Sequence, residues 1–440
     1  MTLKLTTNQI LQKAVSAHNE GKFEEAEHLY REILKDEPTQ LDANNNLGVL
    51  LHATNRLVEA ETILKKTIEL KPDYAEAHFN LGVILTSLGK LKEAAESYNK
   101  AINFKADYVD AYCNLGNVYN QLGRLEEAEK NYNITIKLNS NYVNALYNLG
   151  TLYERLKKYD EAIKKYTRVL EINKNHTDTK NKIIYILDHF LPNDTNDNSI
   201  VVANNKLKNI KNNFTLEHGI KKIELANFFN VANKIIQNNN QDLTTNITQI
   251  IRRNSTNLGC LRHKKIFNEL GIISKACFSC FKIQIEPKNV FELFKLYFIF
   301  DKLQLTLNNV RKCMIELRPK VSGTYKGLIY CSSMEEANVI LKEINPIINR
   351  LIICKIKIKR GCSEYLDFFS DYKVTNKENI NFMNYKESWK KKEEVFDSTY
   401  TKHNIKKLDN LSSLSISDIL IMNKWLNYAK IIEGNFYRWI

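Results

Sequence analysis

The chain has 440 residues, 43% of them apolar and 26% charged, with only 14 glycines and 6 prolines. That composition describes a folded chain of roughly two or three domains and excludes gross disorder, collagen and the turn-rich all-β sandwiches. The net charge of +14 is unevenly placed: residues 1–176 hold 23 Lys+Arg against 24 Asp+Glu, whereas residues 177–440 hold 41 against 26.

The cysteines divide in the same way, since Cys113 lies in the first part and seven of the eight fall between Cys260 and Cys362. The most apolar stretch, Phe294 to Phe300, is interrupted by Lys295 and is far shorter than the roughly 18 to 20 residues a membrane helix needs. No membrane association is expected. Met1 to Gln12 carries neither an apolar core nor a small-residue cleavage motif, so the expected address is cytoplasmic.

The first part repeats itself at an offset of 34 residues, with five copies starting at Thr7, Leu41, Ala75, Val109 and Val143. The eighth position reads Ala14, Gly48, Gly82, Gly116, Gly150, and the twentieth reads Ala26, Ala60, Ala94, Ala128, Ala162. Large residues accompany them at position twenty-four: Tyr30, Leu64, Tyr98, Tyr132 and Tyr166. Each copy holds two helix-period segments separated by a polar turn such as Leu88-Gly89-Lys90, and the small residues sit where the two helices must approach closely. Pro38 and Pro72 end the second helix in the early copies.

These columns resemble the tetratricopeptide repeat family over residues 7–176, in the style of the repeat region of O-GlcNAc transferases. The resemblance implies an α-helical solenoid, a right-handed superhelix of helix pairs whose first helices line a concave groove for peptides or proteins. Position six reads Gln12, Asn46, Asn80, Asn114 and Asn148. A carboxamide offers a donor and an acceptor together, so a ladder of Asn46, Asn80, Asn114 and Asn148 matches the backbone of an extended polypeptide whatever its side chains; the plainer role for such a column is packing between repeats. The family's chaperone-tail binders carry Lys and Arg at positions two, five and six. Here positions two and five include Asp42, Asn45, Glu76 and Phe79, so a carboxylate clamp is excluded. A complete O-GlcNAc transferase is excluded too, because residues 177–440 lack the length and the glycine turns of a two-lobed nucleotide-sugar domain.

Residues 177–255 lose the period, become asparagine-rich and read as a helical connector, with short amphipathic helices at Ile183 to Phe190 and Leu225 to Ile236. Residues 256–370 form a basic, cysteine-rich α+β segment. Cys280 to Ile285 alternates, Phe291 to Leu303 has helical spacing, Cys313 to Leu317 alternates, Leu328 to Cys331 is a short apolar run, Glu335 to Ile348 is helical and Cys354 to Lys359 alternates. The order βαββαβ predicts a smaller ferredoxin-like domain. Gly323 to Tyr330, followed by Ser333-Met334-Glu335-Glu336-Ala337-Asn338, faintly resembles an RNA-recognition motif, but the face opposite the core would carry Lys282, Lys355, Lys357 and Lys359 rather than base-stacking rings. Nucleic-acid binding through those lysines is the alternative, set against a plain solvated surface.

Cys260-Leu-Arg-His263 and Cys277-Phe-Ser-Cys280 are two pairs at metal-ligand spacing. Cys260, His263, Cys277 and Cys280 are therefore the candidate ligands of a zinc ion, with Cys331 and Cys362 as alternates brought to the same sheet rim by the predicted topology. An all-cysteine set would admit an iron–sulfur centre instead, and plain core packing competes with both. A catalytic thiol would rest on Cys362 beside Arg360, but no general base accompanies it, so no catalytic residue is assigned and an enzyme is the less favoured class. Residues 371–440 read as a charged arm containing Trp389, then a closing amphipathic helix from Ser417 to Ile432, with Ser417 as its N-cap, Gly434 as its terminator and an apolar stripe of Leu420, Ile421, Trp425 and Ala429. The whole reads as an adaptor: a groove for a polypeptide, joined to a basic module that is a candidate for metal binding. The alternatives are nucleic-acid binding or a metal- or thiol-dependent enzyme that recruits substrate through the repeats.

Overall fold

The computed structural model describes residues 6–188, 190, 197–210, 214–239, 243–245, 247–252, 260–306, 309–317, 323–361, 365, 368–369, 383–400 and 414–433. The chain divides into two compact units, Met1–Thr179 and Lys180–Ile440.

The first unit contains five helix pairs: α1 (Thr7–Asn19) with α2 (Phe23–Asp36), α3 (Leu41–Ala53) with α4 (Leu57–Leu70), α5 (Ala75–Ser87) with α6 (Leu91–Phe104), α7 (Val109–Gln121) with α8 (Leu125–Leu138), and α9 (Val143–Arg155) with α10 (Tyr159–Ile172). Within each pair the repeat's small position receives its large one. A Cβ added at Gly82 would sit 2.7 Å from Tyr98 Cε1, at Gly116 2.7 Å from Tyr132 Cε1, and at Gly150 2.6 Å from Tyr166 Cε1; Gly48 meets Leu64 Cγ at 2.8 Å. The rings fill the space a side chain would take, and Tyr30, Tyr98, Tyr132 and Tyr166 are almost wholly buried. The odd-numbered helices α1, α3, α5, α7 and α9 also contact one another in series, forming one continuous wall.

The turn inside each pair has a fixed backbone demand. Gly21, Gly89 and Gly123 take φ of +74, +74 and +77°, and the equivalent positions Asn55 and Lys157 take +62 and +60°. Glycine enters this left-handed region freely and asparagine tolerates it, whereas an unbranched lysine pays roughly 1–2 kcal/mol for it.

In the second unit, α11 (Thr177–Leu187) crosses the unit boundary and is followed by α12 (Ser199–Lys208), α13 (Lys222–Asn239) and strand β1 (Gln249–Arg252). Then come α14 (Cys260–Leu270), α15 (Lys275–Phe278), β2 (Phe281–Pro287), α16 (Val290–Lys302), β3 (Arg311–Ile315), β4 (Tyr325–Cys331), α17 (Met334–Leu351) and β5 (Cys354–Arg360). The last two helices are α18 (Glu387–Thr399) and α19 (Ile416–Glu433). The sheet order is β1-β3-β4-β2-β5 with every neighbour antiparallel. Ile283 is opposite both Ile329 and Ile358, so one face is apolar along its centre.

Helices α16 and α17 cover that face. A Cβ at Gly327 would strike Leu296 and lie 3.0 Å from Phe300 Cζ, which shows how closely α16 rides on β4. Arg311, fully buried on β3, donates from Nη1 to the carbonyl of Phe300 at 2.6 Å and to that of Leu303, capping the C-terminus of α16. A cation there satisfies orphan carbonyls and complements the helix dipole.

Three sequence expectations are corrected here. The edge strand β1 lies inside the segment read as a helical connector; it pairs with β3 although its four residues carry no alternation long enough to read. The described part of the charged arm, residues 383–400, includes α18, which buries Trp389, Glu393 and Phe396 on one stripe. Finally, the stripe of α19 is buried, with Trp425 Nε1 donating to Thr248 O at 2.8 Å, but its N-cap is Ser415 rather than Ser417: Asp418 N donates to Ser415 Oγ at 3.2 Å and Ser415 N to Asp418 Oδ2 at 3.0 Å. Gly434 lies outside the described residues.

Because Lys157 holds a left-handed conformation with no helical alternative, Lys157→Gly is expected to stabilise the first unit by about 1 kcal/mol, while Gly123→Ala costs a similar amount. Far-UV circular dichroism melts of the two variants test this, and a lower melting temperature for Lys157→Gly would contradict it.

Candidate functional site

Two surfaces carry the polar groups the sequence singles out, one in each unit. In the first, Asn46, Asn80, Asn114 and Asn148 stand at the same position of α3, α5, α7 and α9, and all four are half-buried. Part of their hydrogen-bonding capacity ties repeats together. Asn80 Nδ2 donates to Asn45 Oδ1 of the preceding repeat at 2.9 Å, and Asn148 Nδ2 to Asn117 Oδ1 at 2.8 Å. Asn114 hydrogen-bonds the Tyr98 hydroxyl. Asn46 makes no side-chain hydrogen bond among the described residues. An amide with two donor hydrogens and a two-lone-pair oxygen is only partly used by one such bond, so the column combines a packing role with spare capacity.

The second surface is the sheet face turned away from α16 and α17. The sequence reading made it an open, solvated row of lysines, and the structure corrects that. Lys355 is exposed and Lys357 is half-exposed, bonded to Glu286 at 2.6 Å, but Lys282 is 4% exposed and Lys359 7% exposed. The reason is a further layer: α14, α15, Tyr365 and Phe368 lie over this end of the sheet and with it line a half-open cavity of about 910 Å³. A second small core holds that layer, joining Ile266, Phe278, Tyr365, Trp389 and Phe396. Arg262 fastens α14 to α18, donating to Asp397 Oδ1 and Oδ2 at 2.6 Å each and to Glu393 Oε1 at 2.9 Å. Burial works against the Glu393 carboxylate, yet hydrogen bonds from Ser274, the Lys275 amide, Arg262 and Tyr385 hold it below the ordinary carboxylate range. Neither layer nor clamp announces itself in the sequence, because Arg262 and Glu393 are 131 residues apart.

The candidate metal ligands lie around the same cavity. His263, Cys277, Cys280 and Cys331 all line it, and Cys331 is opposite Phe281, the neighbour of Cys280. Among the described residues, however, no three His, Cys, Asp or Glu side chains gather closely enough to hold an ion. The side chain of Cys260 and the whole of Cys362 lie outside the described residues. Burial, then the Arg262 charge, lowers the His263 imidazole pKa. Cys277 Sγ lies 3.4 Å from the Tyr365 hydroxyl. Burial, with the nearby Glu336 charge next, pushes the Cys331 thiol up to about 12, and burial pushes Cys354 to about 11. These are neutral thiols at physiological pH, the opposite of an activated nucleophile.

Tetratricopeptide-repeat family models match residues 17–82, 83–123 and 107–175. Among solved structures, a crystal structure of MamA is 28% identical at a TM-score of 0.35, covering 37% of this chain and 94% of that one. YrrB, a repeat protein described as having an unusual peptide-binding site, is 18% identical at a TM-score of 0.35, covering 39% and 89%. The thermophilic repeat protein TTC0263 of Thermus thermophilus is 21% identical at a TM-score of 0.36, covering 41% and 99%. No curated protein matches the chain.

The raised thiol pKa values carry a chemical expectation. Burial, with the Asp110 charge next, likewise pushes the Cys113 thiol up to about 12, so at about pH 8, near or below the ordinary thiol range, iodoacetamide should leave Cys331 and Cys113 unlabelled in the native protein and label both after urea unfolding, as read by peptide mass spectrometry; rapid native labelling of Cys331 would show an activated thiol. The family models and the helix pairing agree on one assignment, and residues 17–175 are a tetratricopeptide repeat segment.

Proposed function

We propose that the protein is an adaptor whose repeat array binds an extended polypeptide along the wall formed by α3, α5, α7 and α9. The observation that carries this reading is the column of half-buried carboxamides at Asn46, Asn80, Asn114 and Asn148, one per repeat and each with donor or acceptor capacity beyond its contacts to neighbouring repeats. Tetratricopeptide repeats support a protein-interaction scaffold in general; the backbone-reading column is the specific proposal. The partner would be a protein segment in extended form, its main-chain amides paired with the ladder and its side chains contributing less. No helix among the described residues is long and apolar enough to cross a membrane, and we place the adaptor in the cytoplasm.

For the second unit we infer a ferredoxin-like core. Its support is the order β2-α16-β3-β4-α17-β5 and the all-antiparallel arrangement β3-β4-β2-β5, to which β1 adds an edge. On this reading the chain is organised as repeats at 1–176, a connector at 177–255, the α+β module at 256–370 and a C-terminal segment at 371–440. The layer over the lysine face argues against an open nucleic-acid platform there, since Lys282 and Lys359 are not presented to a polymer.

The ladder is tested by separating its two roles. A buried amide contact contributes roughly 0.5–1.5 kcal/mol net, so Asn46→Ala, which removes no internal bond, should weaken capture of a polypeptide recovered by pull-down by about twofold to tenfold and leave the melting temperature unchanged. Replacing Asn46, Asn80, Asn114 and Asn148 together should weaken it at least tenfold. Undiminished binding by the folded quadruple variant would make the column purely structural.

A further inference from the structure

The wall of odd-numbered helices presents more than its asparagines. On α3, α5, α7 and α9 the residues at positions two, six, nine and thirteen of the repeat keep accessible surface, whereas positions three, seven and eight are buried. Steps of three and four residues put the accessible set on one helical face, so position nine lies beside the ladder of position six on the same surface. Position nine reads Val15, Val49, Val83, Asn117 and Thr151, all half-buried. The row is apolar on α1, α3 and α5 and polar on α7 and α9.

The other accessible rows are less suited to choosing a side chain. The carboxylates of position two are engaged within the array: Asp42 accepts from the Tyr74 hydroxyl at 2.8 Å, Asp110 from the Tyr142 hydroxyl at 2.5 Å, and Glu76 from Lys105 Nζ at 3.3 Å. Position thirteen reads Asn19, Ala53, Ser87, Gln121 and Arg155, which share no chemistry. Val15 and Val83 pack one side on the repeat core and leave the rest of the side chain open beside the ladder.

We propose that the wall selects an extended segment with apolar side chains at alternate positions over α1, α3 and α5 and small polar side chains over α7 and α9, with Val15, Val49 and Val83 as the selecting residues. The inference rests on the ladder reading above, which supplies affinity for backbone but no preference among sequences. In an extended chain successive side chains point to opposite sides, so a backbone held by position six turns every second side chain toward position nine. An apolar side chain there removes valine surface from water, whereas a polar one loses its own hydration without gaining a partner. The change from valine to Asn117 and Thr151 gives the wall two chemically different halves, so a segment that is itself apolar in one half and polar in the other has one favoured placement.

Fluorescence anisotropy of the full chain with three labelled dodecapeptides tests this. One carries valine at alternate positions of its N-terminal half and serine and asparagine elsewhere, the second has the halves exchanged, and the third contains only serine, threonine and asparagine. The better of the first two should bind at least about fivefold more tightly than the all-polar peptide, and the order of its halves gives the direction of the bound chain. Val49→Thr/Val83→Thr, which installs the residue that α9 carries at this position, should bring that peptide within twofold of the all-polar one and leave the all-polar affinity unchanged. Far-UV circular dichroism reports whether this variant is folded, and the wild-type comparison stands without it. Asn46→Ala should weaken all three peptides by a similar factor. Equal wild-type affinity for all three peptides, or a valine preference that survives in the folded double variant, would overturn the inference while leaving the ladder in place, provided Asn46→Ala still weakens each. If no peptide binds, or Asn46→Ala weakens none, the ladder fails and the inference falls with it.

Discussion

The close approach of two helices at one small residue is the contact on which the first unit depends. Where Gly82, Gly116 and Gly150 lack a side chain, Tyr98, Tyr132 and Tyr166 lay a ring directly against backbone, and Leu64 does the same over Gly48. Interiors packed to this density leave little slack, so the contact fixes the distance and angle of each pair. Repeating it every 34 residues brings the odd-numbered helices into one row. The asparagine column is a consequence: a side chain at one position of a rigid repeat recurs at regular intervals along the wall, and regular spacing is what an extended polypeptide backbone also has.

In the second unit the governing constraint is that a sheet has two faces. Helices α16 and α17 satisfy the apolar one, with Gly327 allowing α16 to lie against β4 and the buried Arg311 guanidinium closing the helix end. The polar face would ordinarily belong to solvent. Here a second, smaller core around Trp389 and Phe396, tied by Arg262 to Glu393 and Asp397, holds α14 over one end of it. That layer converts surface lysines into the walls of a cavity, and it also gathers His263, Cys277, Cys280 and Cys331 around the same space.

How much of this was legible in the sequence follows from how far apart the cooperating residues are. The repeats were readable because the 34-residue offset states the same packing rule five times; Gly116 and Tyr132 lie 16 positions apart in a fixed pattern. The strands β2, β3 and β5 were readable from their alternation and β4 from a short apolar run. Strand β1 was not, because four residues become a strand only through pairing with β3. The helix α18 was hidden by its lysines and glutamates, although Trp389, Glu393 and Phe396 fall on one stripe. The burial of Lys282 and Lys359 had no local signal at all: it arises in a layer built from α14, α15, Tyr365 and Phe368 and fastened to α18, over a sheet whose own sequence reads as half-solvated. Even in the repeats, the bonds from Asn80 to Asn45 and from Asn148 to Asn117 show that one column can serve packing and presentation together, which residue type alone does not distinguish.

The central claim, that a polypeptide lies along the wall of odd-numbered helices, is tested most directly by site-specific photo-crosslinking. A benzophenone amino acid placed at Val83 on α5, one turn from Asn80, reports on that wall without altering the ladder; the same probe at Val58 on α4, which is 71% exposed, reports on the outer helices. Crosslinks to the captured polypeptide from position 83 and not from position 58 are the predicted result, and crosslinks from position 58 with none from position 83 would contradict it.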